Sequence, residues 1–189
     1  METKNKPILS FEYKHDNQIY QIDLAPIHES DAERLMSIWN DKEIAKNVGD
    51  TFPYPYSYED AQYRIETWSK IENSINYWIY INNLYAGNLG RQKKYTGRSV
   101  HNIHFWYWLW REYWWRWIMT HIVQQVIPYI FHSLPDAHRI YARVFWWNIW
   151  SKKVLEKAWM KLEAHRKEFI WYEGSRHDEY EYAILKNNL

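Results

Sequence analysis

The sequence predicts a single α+β domain over residues 1–189, and three observations carry that prediction. Short alternating apolar–polar runs are separated by tight-turn residues, as in His15-Asp-Asn17 and Asn82–Asn83. Between and after them lie segments whose apolar residues recur at helical spacing. No internal repeat, low-complexity tract or Pro/Gly-rich linker divides the chain.

Ile8–Tyr13 and Gln18–Leu24 flank the turn at His15-Asp-Asn17 and are expected to pair as a β-hairpin. Ser30-Asp-Ala-Glu33 has the spacing of a capping box, with Ser30 accepting from the amide at 33 and Glu33 reaching back. The helix that follows should bury Leu35, Ile38 and Trp39. Asn47 to Pro55 reads as loop, ending in Phe52-Pro-Tyr-Pro-Tyr56. Ser57 is placed to cap a second helix with Ala61, Ile65 and Trp68 on one face.

Tyr77–Ile81 and Leu84–Gly90, joined by Asn82–Asn83, form a second expected hairpin. Arg91 to Ser99 is a polar connection, and Val100 to Leu109 a strand. From about Tyr113 the period changes to 3.6, with Ile118, Ile122, Val123, Val126, Ile127, Ile130 and Phe131 in one stripe and Pro128 at a point where the helix can bend. A turn at Leu134–Ala137 leads into a strand at Arg139–Phe145. A helix over Ser151–Ala158 and strands near Met160–Ile170 and Glu179–Leu185 complete the order.

Composition narrows the function. The chain has 24 basic and 23 acidic residues, a net charge of +1, so no basic stripe argues for nucleic acid. It has no cysteine, which excludes thiolate metal sites, disulfides and thiol nucleophiles. His101 and His104, three apart on a strand, point to opposite faces and make a poor metal pair; no metal is expected. The N-terminal residues lack an apolar signal region. Arg111, Glu112, Arg116, His121 and Gln124–Gln125 interrupt the apolar stretch from 103 to 131, so no membrane span is expected. A cytoplasmic protein, monomeric or weakly dimeric, is the expectation.

Tryptophan is abundant and glycine scarce: 14 Trp against five Gly, with six of the 12 residues from Trp106 to Trp117 being Trp. Glycine normally makes up about 7% of a chain. One reading of the aromatic run is a platform for stacking sugars or single-stranded nucleic acid. The near-zero charge and the crowding of Trp106, Trp108 and Trp110 on one strand face argue against it.

Several segments, taken in order, resemble the GNAT superfamily of N-acetyltransferases, in its RimJ/RimL-like branch. They are Glu29–Leu35 with Trp39-Asn-Asp41, Phe52–Ala61, Tyr107-Trp-Leu109, Tyr113-Trp114, Asn148 with Ser151, Lys153–Ala158, and Asp178–Leu185. The resemblance spans about Ile22 to Leu185. It implies a mixed, mostly antiparallel sheet flanked by about four helices and splayed between the strand at 100–109 and the strand at 138–146.

It also implies an activity: acetyl-CoA as cosubstrate and a primary amine as acceptor, either a protein N-terminus or a small amine. The amine attacks the thioester carbonyl directly and the CoA thiolate leaves. An amide within Tyr107, Trp108 and Leu109 would polarise the carbonyl. Tyr113–Ile118 would hold the pyrophosphate, through Trp114, Trp115, Arg116, Trp117 and Ile118, with Arg111 adding charge. Asn148 would contact the CoA arm and Ser151 would donate to the departing sulfur. His104, where relatives often carry Glu, is the candidate base, since histidine ordinarily titrates near pH 6.5. Phe52, Tyr54 and Tyr56 would line the acceptor site. Each has a plain structural reading too: Ser151 and Asn148 could cap a helix, and His104 could be an ordinary strand residue.

The departures from the family pattern share one form. Trp stands where the family carries Gly at 106, 115, 117 and 159, and where Gly would be unremarkable at 110, 147 and 150. Trp39, Trp108 and Trp114 match aromatic positions. A UGA codon read as Gly in the source but translated here as Trp accounts for the set, and Gly at all seven would raise the count from five to 12. Trp115 and Trp117 as written should impair cofactor binding, because a pyrophosphate is best held by amides at a helix N-terminus that only a residue without Cβ lets it approach. The remaining alternatives are a catalytically inactive scaffold and an acetyltransferase for small-molecule amines or antibiotics.

Overall fold

The computed structural model describes residues 6–48, 53–68, 74–93 and 97–189. Its strands are β1 (Leu9–His15), β2 (Gln18–Ala25), β3 (Ser74–Ile81), β4 (Leu84–Lys93), β5 (Asn102–Leu109), β6 (Arg139–Phe145), β7 (Lys161–Tyr172) and β8 (Ser175–Leu185). The helices are α1 (Ala32–Trp39), α2 (Lys42–Val48), α3 (Tyr58–Trp68), α4 (Ile118–Ser133) and α5 (Ile149–Lys157). The strands run β1-β2-β3-β4-β5-β6-β8-β7 in one sheet, which is mixed and mostly antiparallel as expected. Residues 1–90 with 107–116 form one compact unit, and residues 91–106 with 117–189 another.

In the first unit both hairpins turn on Asx pairs in the left-handed region. Asp16 and Asn17 have φ of 46° and 63°, and Asn82 and Asn83 have 49° and 67°, the conformation a two-residue type I′ turn needs. This fixes the register of β1 on β2, with Tyr13 opposite Tyr20. Gly87 in β4 matters for a different reason: a Cβ there would lie 2.5 Å from the Trp108 carbonyl oxygen, so only glycine permits that approach. The unit's core is aromatic. Trp39, Tyr56, Trp68, Trp78, Tyr80, Tyr85 and Trp108 are buried together with Leu35, Ile38 and Ala61. Trp39 meets the edge of Trp108 with centroids 5.0 Å apart, a favoured T-shaped geometry.

Two details of this unit correct the sequence expectation. The cap before α1 is not Ser30. His28 precedes a short 3₁₀ turn at Glu29–Asp31, its Nδ1 accepting from the Ser30 amide while its own amide donates to Asp31 Oδ2. The region expected as loop from Asn47 instead follows a short extra helix, α2, started by Asp41, whose Oδ1 accepts from the Glu43 amide at 2.9 Å. Ser57 does cap α3: its Oγ accepts from the Asp60 amide and Asp60 Oδ2 accepts from the Ser57 amide.

In the second unit β5 and β6 pair in parallel over Asn102–His104 and Arg139–Tyr141. α4 buries the whole expected stripe, Ile118, Ile122, Val123, Val126, Ile127, Ile130 and Phe131, and carries Pro128 inside it. β6 pairs antiparallel over its whole length with the Glu179–Leu185 part of β8. With β7 they share an ionic ladder in which Arg139 and Arg143 of β6 and Arg166 of β7 surround Glu179 and Glu181 of β8, both buried. β7 pairs β8 with register shifts between Leu162 and Ala164 and between Arg166 and Ile170.

Candidate functional site

The segment from Trp110 to Ile118 is built by local bonds. The Trp110 amide donates to the Ala86 carbonyl at 2.7 Å, tying the end of β5 to β4. A 3₁₀ turn follows over Arg111–Tyr113. The Trp114 indole donates back to the Leu109 carbonyl at 2.7 Å. The chain then takes a left-handed residue at Trp115 (φ 69°) and another at Trp117 (φ 57°), and α4 begins at Ile118 with Trp117 as its N-cap residue.

Left-handed backbone is the signature of glycine, and for a bulky aromatic it is an outlier. Among the described residues the non-glycine left-handed positions are Asp16, Asn17, Asn82, Asn83, Glu168, Glu173 and three tryptophans, 115, 117 and 159. All three belong to the seven positions singled out in the sequence. Trp110 does not share the property, with φ −59°. Trp159 closes α5 in a Schellman motif: the Met160 amide bonds the Leu155 carbonyl at 3.0 Å and the Trp159 amide bonds the Glu156 carbonyl at 3.2 Å. In that motif the left-handed residue is usually Gly.

The first unit also places the remaining cofactor and acceptor candidates. Trp108 is buried in the aromatic core and Leu109 is buried beside it in β5. Tyr107 is partly buried. Arg111 pairs with Asp41 at 3.0 Å. Arg116 is held through both its backbone and its guanidinium: Tyr13 donates to its carbonyl at 3.0 Å, and its Nη1 donates to Tyr20 Oη at 2.7 Å. Tyr113 is buried, and burial, helped by Glu112, raises its pKa above the usual phenol value. Tyr54 is half exposed, whereas Tyr56 is core: its backbone N and O are bridged by the Asn40 side chain and its hydroxyl donates to the Asp60 carbonyl. Phe52 lies outside the described residues.

In the second unit Asn148 is the N-cap of α5, its Oδ1 accepting from the Ser151 amide at 3.0 Å. This aligns the Ser151 backbone at the first turn of α5. Next to it in the chain, Lys152 donates to the Trp146 carbonyl at 3.1 Å and lies 3.6 Å from the Tyr180 ring centroid. Burial lowers its pKa against the opposing pull of Glu156 and Asp178. His104 packs against the Tyr141 ring at 5.0 Å and the Trp106 ring at 5.6 Å. The Trp117 indole carries the Lys157 ammonium 4.3 Å from its centroid, a cation–π pair. Sequence reading named neither Lys157 nor Tyr13 and Tyr20; their partners are 40 to 103 positions away, beyond any local pattern. Among the described residues no group of three or more His, Asp or Glu is arranged to hold a metal ion, and no helix is long and apolar enough to cross a membrane.

A family and a fold can now be assigned. The acetyltransferase (GNAT) domain matches residues 21–161, three quarters of the chain, and the protein belongs to that family of acetyltransferases. No curated protein matches it in sequence. Among solved structures it resembles RimJ of Mycobacterium smegmatis in complex with CoA-disulfide, with a TM-score of 0.80 and 16% identity over 95% of this chain and 88% of that one. A RimL ribosomal L7/L12 alpha-N-protein acetyltransferase in complex with coenzyme A has a TM-score of 0.76 and 20% identity over 89% and 96%. The ribosomal-protein-S5-alanine acetyltransferase of Vibrio fischeri has 0.75 and 23% over 95% and 97%. At these identities the likeness establishes a common fold.

Proposed function

We propose that this chain is an acetyl-CoA-dependent N-acetyltransferase whose acceptor is a protein N-terminal amine, and that residues 113–118 are its pyrophosphate loop. One observation supports the reading above the others: left-handed backbone at 115 and 117 directly ahead of α4. That conformation turns successive amides toward one point at a helix N-terminus, where they and the helix dipole attract phosphate. With glycine at both positions the residues fit such a ligand. With indoles there, two large side chains crowd the same approach. The protein therefore acts in its glycine form at 115 and 117.

Bound acetyl-CoA would supply the activated acyl group. The chain's own residues have three tasks. Backbone amides of Tyr107–Leu109 polarise the acyl oxygen. His104 accepts a proton from the acceptor amine. Ser151, whose backbone amide donates to Asn148 Oδ1, donates a hydrogen bond from its hydroxyl to the departing sulfur. The assignment to a protein N-terminus rests on what the resembling RimL and ribosomal-protein-S5 enzymes act on, joined to the half-exposed Tyr54 in the loop before α3.

The test is thiol release from acetyl-CoA by the Trp115→Gly/Trp117→Gly protein, measured over peptides with N-terminal Ala or Ser, polyamines and aminoglycosides. Because the chain has no cysteine, thiol reagents read product without background. Turnover with peptides above the other amines is expected. Preference for small amines would overturn the acceptor assignment, and no turnover with any amine would overturn the enzymatic reading.

A further inference from the structure

Resting on the reading of 113–118 as a pyrophosphate loop, we propose that the β1–β2 hairpin is the device that positions it, through a latch of Tyr13 and Tyr20 on Arg116. Arg116 then serves as a positioning residue and not as a phosphate ligand.

The two tyrosines face each other across the hairpin register, their ring centroids 6.5 Å apart and their planes inclined by 30°. Each holds a different part of Arg116. The Tyr13 hydroxyl donates to the Arg116 carbonyl at 3.0 Å. The Arg116 Nη1 donates to Tyr20 Oη at 2.7 Å, and that hydroxyl in turn donates to Gln18 Oε1 at 2.7 Å. The guanidinium carbon also lies 5.9 Å from the Tyr20 ring centroid. Tyr20 is 2% exposed, so this end of the latch is shielded from water, and burial, with Asp16 adding to it, raises the pKa of Tyr13. The Tyr13 hydroxyl therefore stays protonated and able to donate through the physiological range.

The position of the clamp gives it meaning. Arg116 is the single residue between the left-handed 115 and 117. Fixing its carbonyl fixes the peptide plane that follows it, which carries the amide of 117. A loop with glycine at 115 and 117 has the most backbone freedom to lose on binding, so an external hold on its middle residue lowers that cost in advance. A guanidinium engaged by a buried phenol is also poorly free to follow a phosphate.

The experiment compares Tyr13→Phe and Tyr20→Phe with the unsubstituted hairpin, in the chain as it stands and with Trp115→Gly/Trp117→Gly. Three quantities are read: CoA affinity by calorimetry, steady-state kinetics with acetyl-CoA and with acetyl-pantetheine, and amide exchange of residues 113–118. One lost hydrogen bond predicts a roughly three- to tenfold rise in Kd and KM for the CoA forms. kcat and the kinetics with acetyl-pantetheine, which lacks the nucleotide and its pyrophosphate, should stay within about twofold. Exchange at 115–118 should quicken by a similar factor. Unchanged CoA affinity, or an equal loss with both donors, overturns the latch; the second result marks a merely structural role. If neither background binds CoA with the hairpin intact, the cofactor reading fails on its own. Amide exchange then decides the latch by itself, since unchanged exchange refutes it.

Discussion

Replacing Trp159 by Gly and, separately, by Ala isolates the energy of a left-handed residue at a helix end. Trp159 sits at φ 64°, with both Schellman bonds in place at 3.0 and 3.2 Å. The following Met160 and the facing Leu155 are buried, at 2% and 0% exposure, the hydrophobic contact that accompanies this motif. The indole itself is 51% exposed, so either replacement forfeits the same half-buried ring, and that loss cancels between the two variants. What differs is the backbone. An L-residue costs roughly 1–2 kcal/mol in the left-handed region, while Gly gives back part of that, roughly 0.5–1 kcal/mol, through its freer unfolded chain. The Gly variant should therefore exceed the Ala variant by about 1 kcal/mol, or about 2–4 °C in Tm for a chain of this length. Scanning calorimetry with urea titration reads the difference. Equal stability, or Ala above Gly, would refute the claim that this backbone is built for glycine.

The same logic extends to the loop. Trp115→Gly with Trp117→Gly should convert weak or absent acetyl-CoA binding into micromolar affinity by calorimetry, and micromolar affinity in the unaltered chain would contradict it. In the gene, the codons for 115, 117 and 159 should be UGA, with UGG among those for 39, 108 and 114; uniform UGG would sink the recoding explanation. In the glycine form, Ser151→Ala should lower kcat more than it raises KM for acetyl-CoA, and His104→Gln should remove the acidic limb of kcat/KM. General acid–base groups contribute about 10²–10⁴-fold, so changes under about threefold in both would exclude these roles. Burial works to raise the pKa of Glu181, but Arg166 and Arg139 outweigh it and hold the carboxyl below the usual glutamate range. A depressed folded-state pKa gives stability that is present above the unfolded value and lost as pH falls through the folded one. Glu181→Gln should accordingly lower Tm at neutral pH and flatten its decline in acid, and a parallel acid profile would refute the linkage.

Much of the architecture was legible because it depends on local chemistry. The Asn82–Asn83 pair announces its turn through residues that tolerate positive φ, and the α4 stripe announces itself by period. Ser57 and Asp60 cap each other within three positions. The cap before α1 was misread because a 3₁₀ turn intervenes: His28 caps that turn, and α1 follows Asp31, whose side chain makes no cap bond to it. α2 escaped because Lys42–Val48 has one fully buried residue, Ile44, too few to show a period. α5 starts at Ile149, two residues before Ser151, since Asn148 takes the cap. For the candidate site, composition and order singled out residues 113–118, and backbone dihedrals then separated Trp115, Trp117 and Trp159 from the other surplus tryptophans. Tyr56, expected at the acceptor wall, is core, and the Asn40 side chain satisfies its backbone from 16 positions away.

β7 has a bearing on how this protein behaves at high concentration. It stands last in the strand order, so among the described residues one of its edges has no strand neighbour, and it shows Leu162, Phe169 and Trp171 to solvent. Such an edge invites pairing with another chain and growth into aggregates. Its two irregularities guard against that. The register shifts at Leu162/Ala164 and Arg166/Ile170, with Glu168 at φ 52°, break the even spacing of amides and carbonyls that a docking strand must match. Lys161, Glu163, Lys167 and Glu168 set exposed charge along the same stretch. The kinks in β7 thus oppose edge-to-edge pairing along a strand that shows Leu162, Phe169 and Trp171 to solvent.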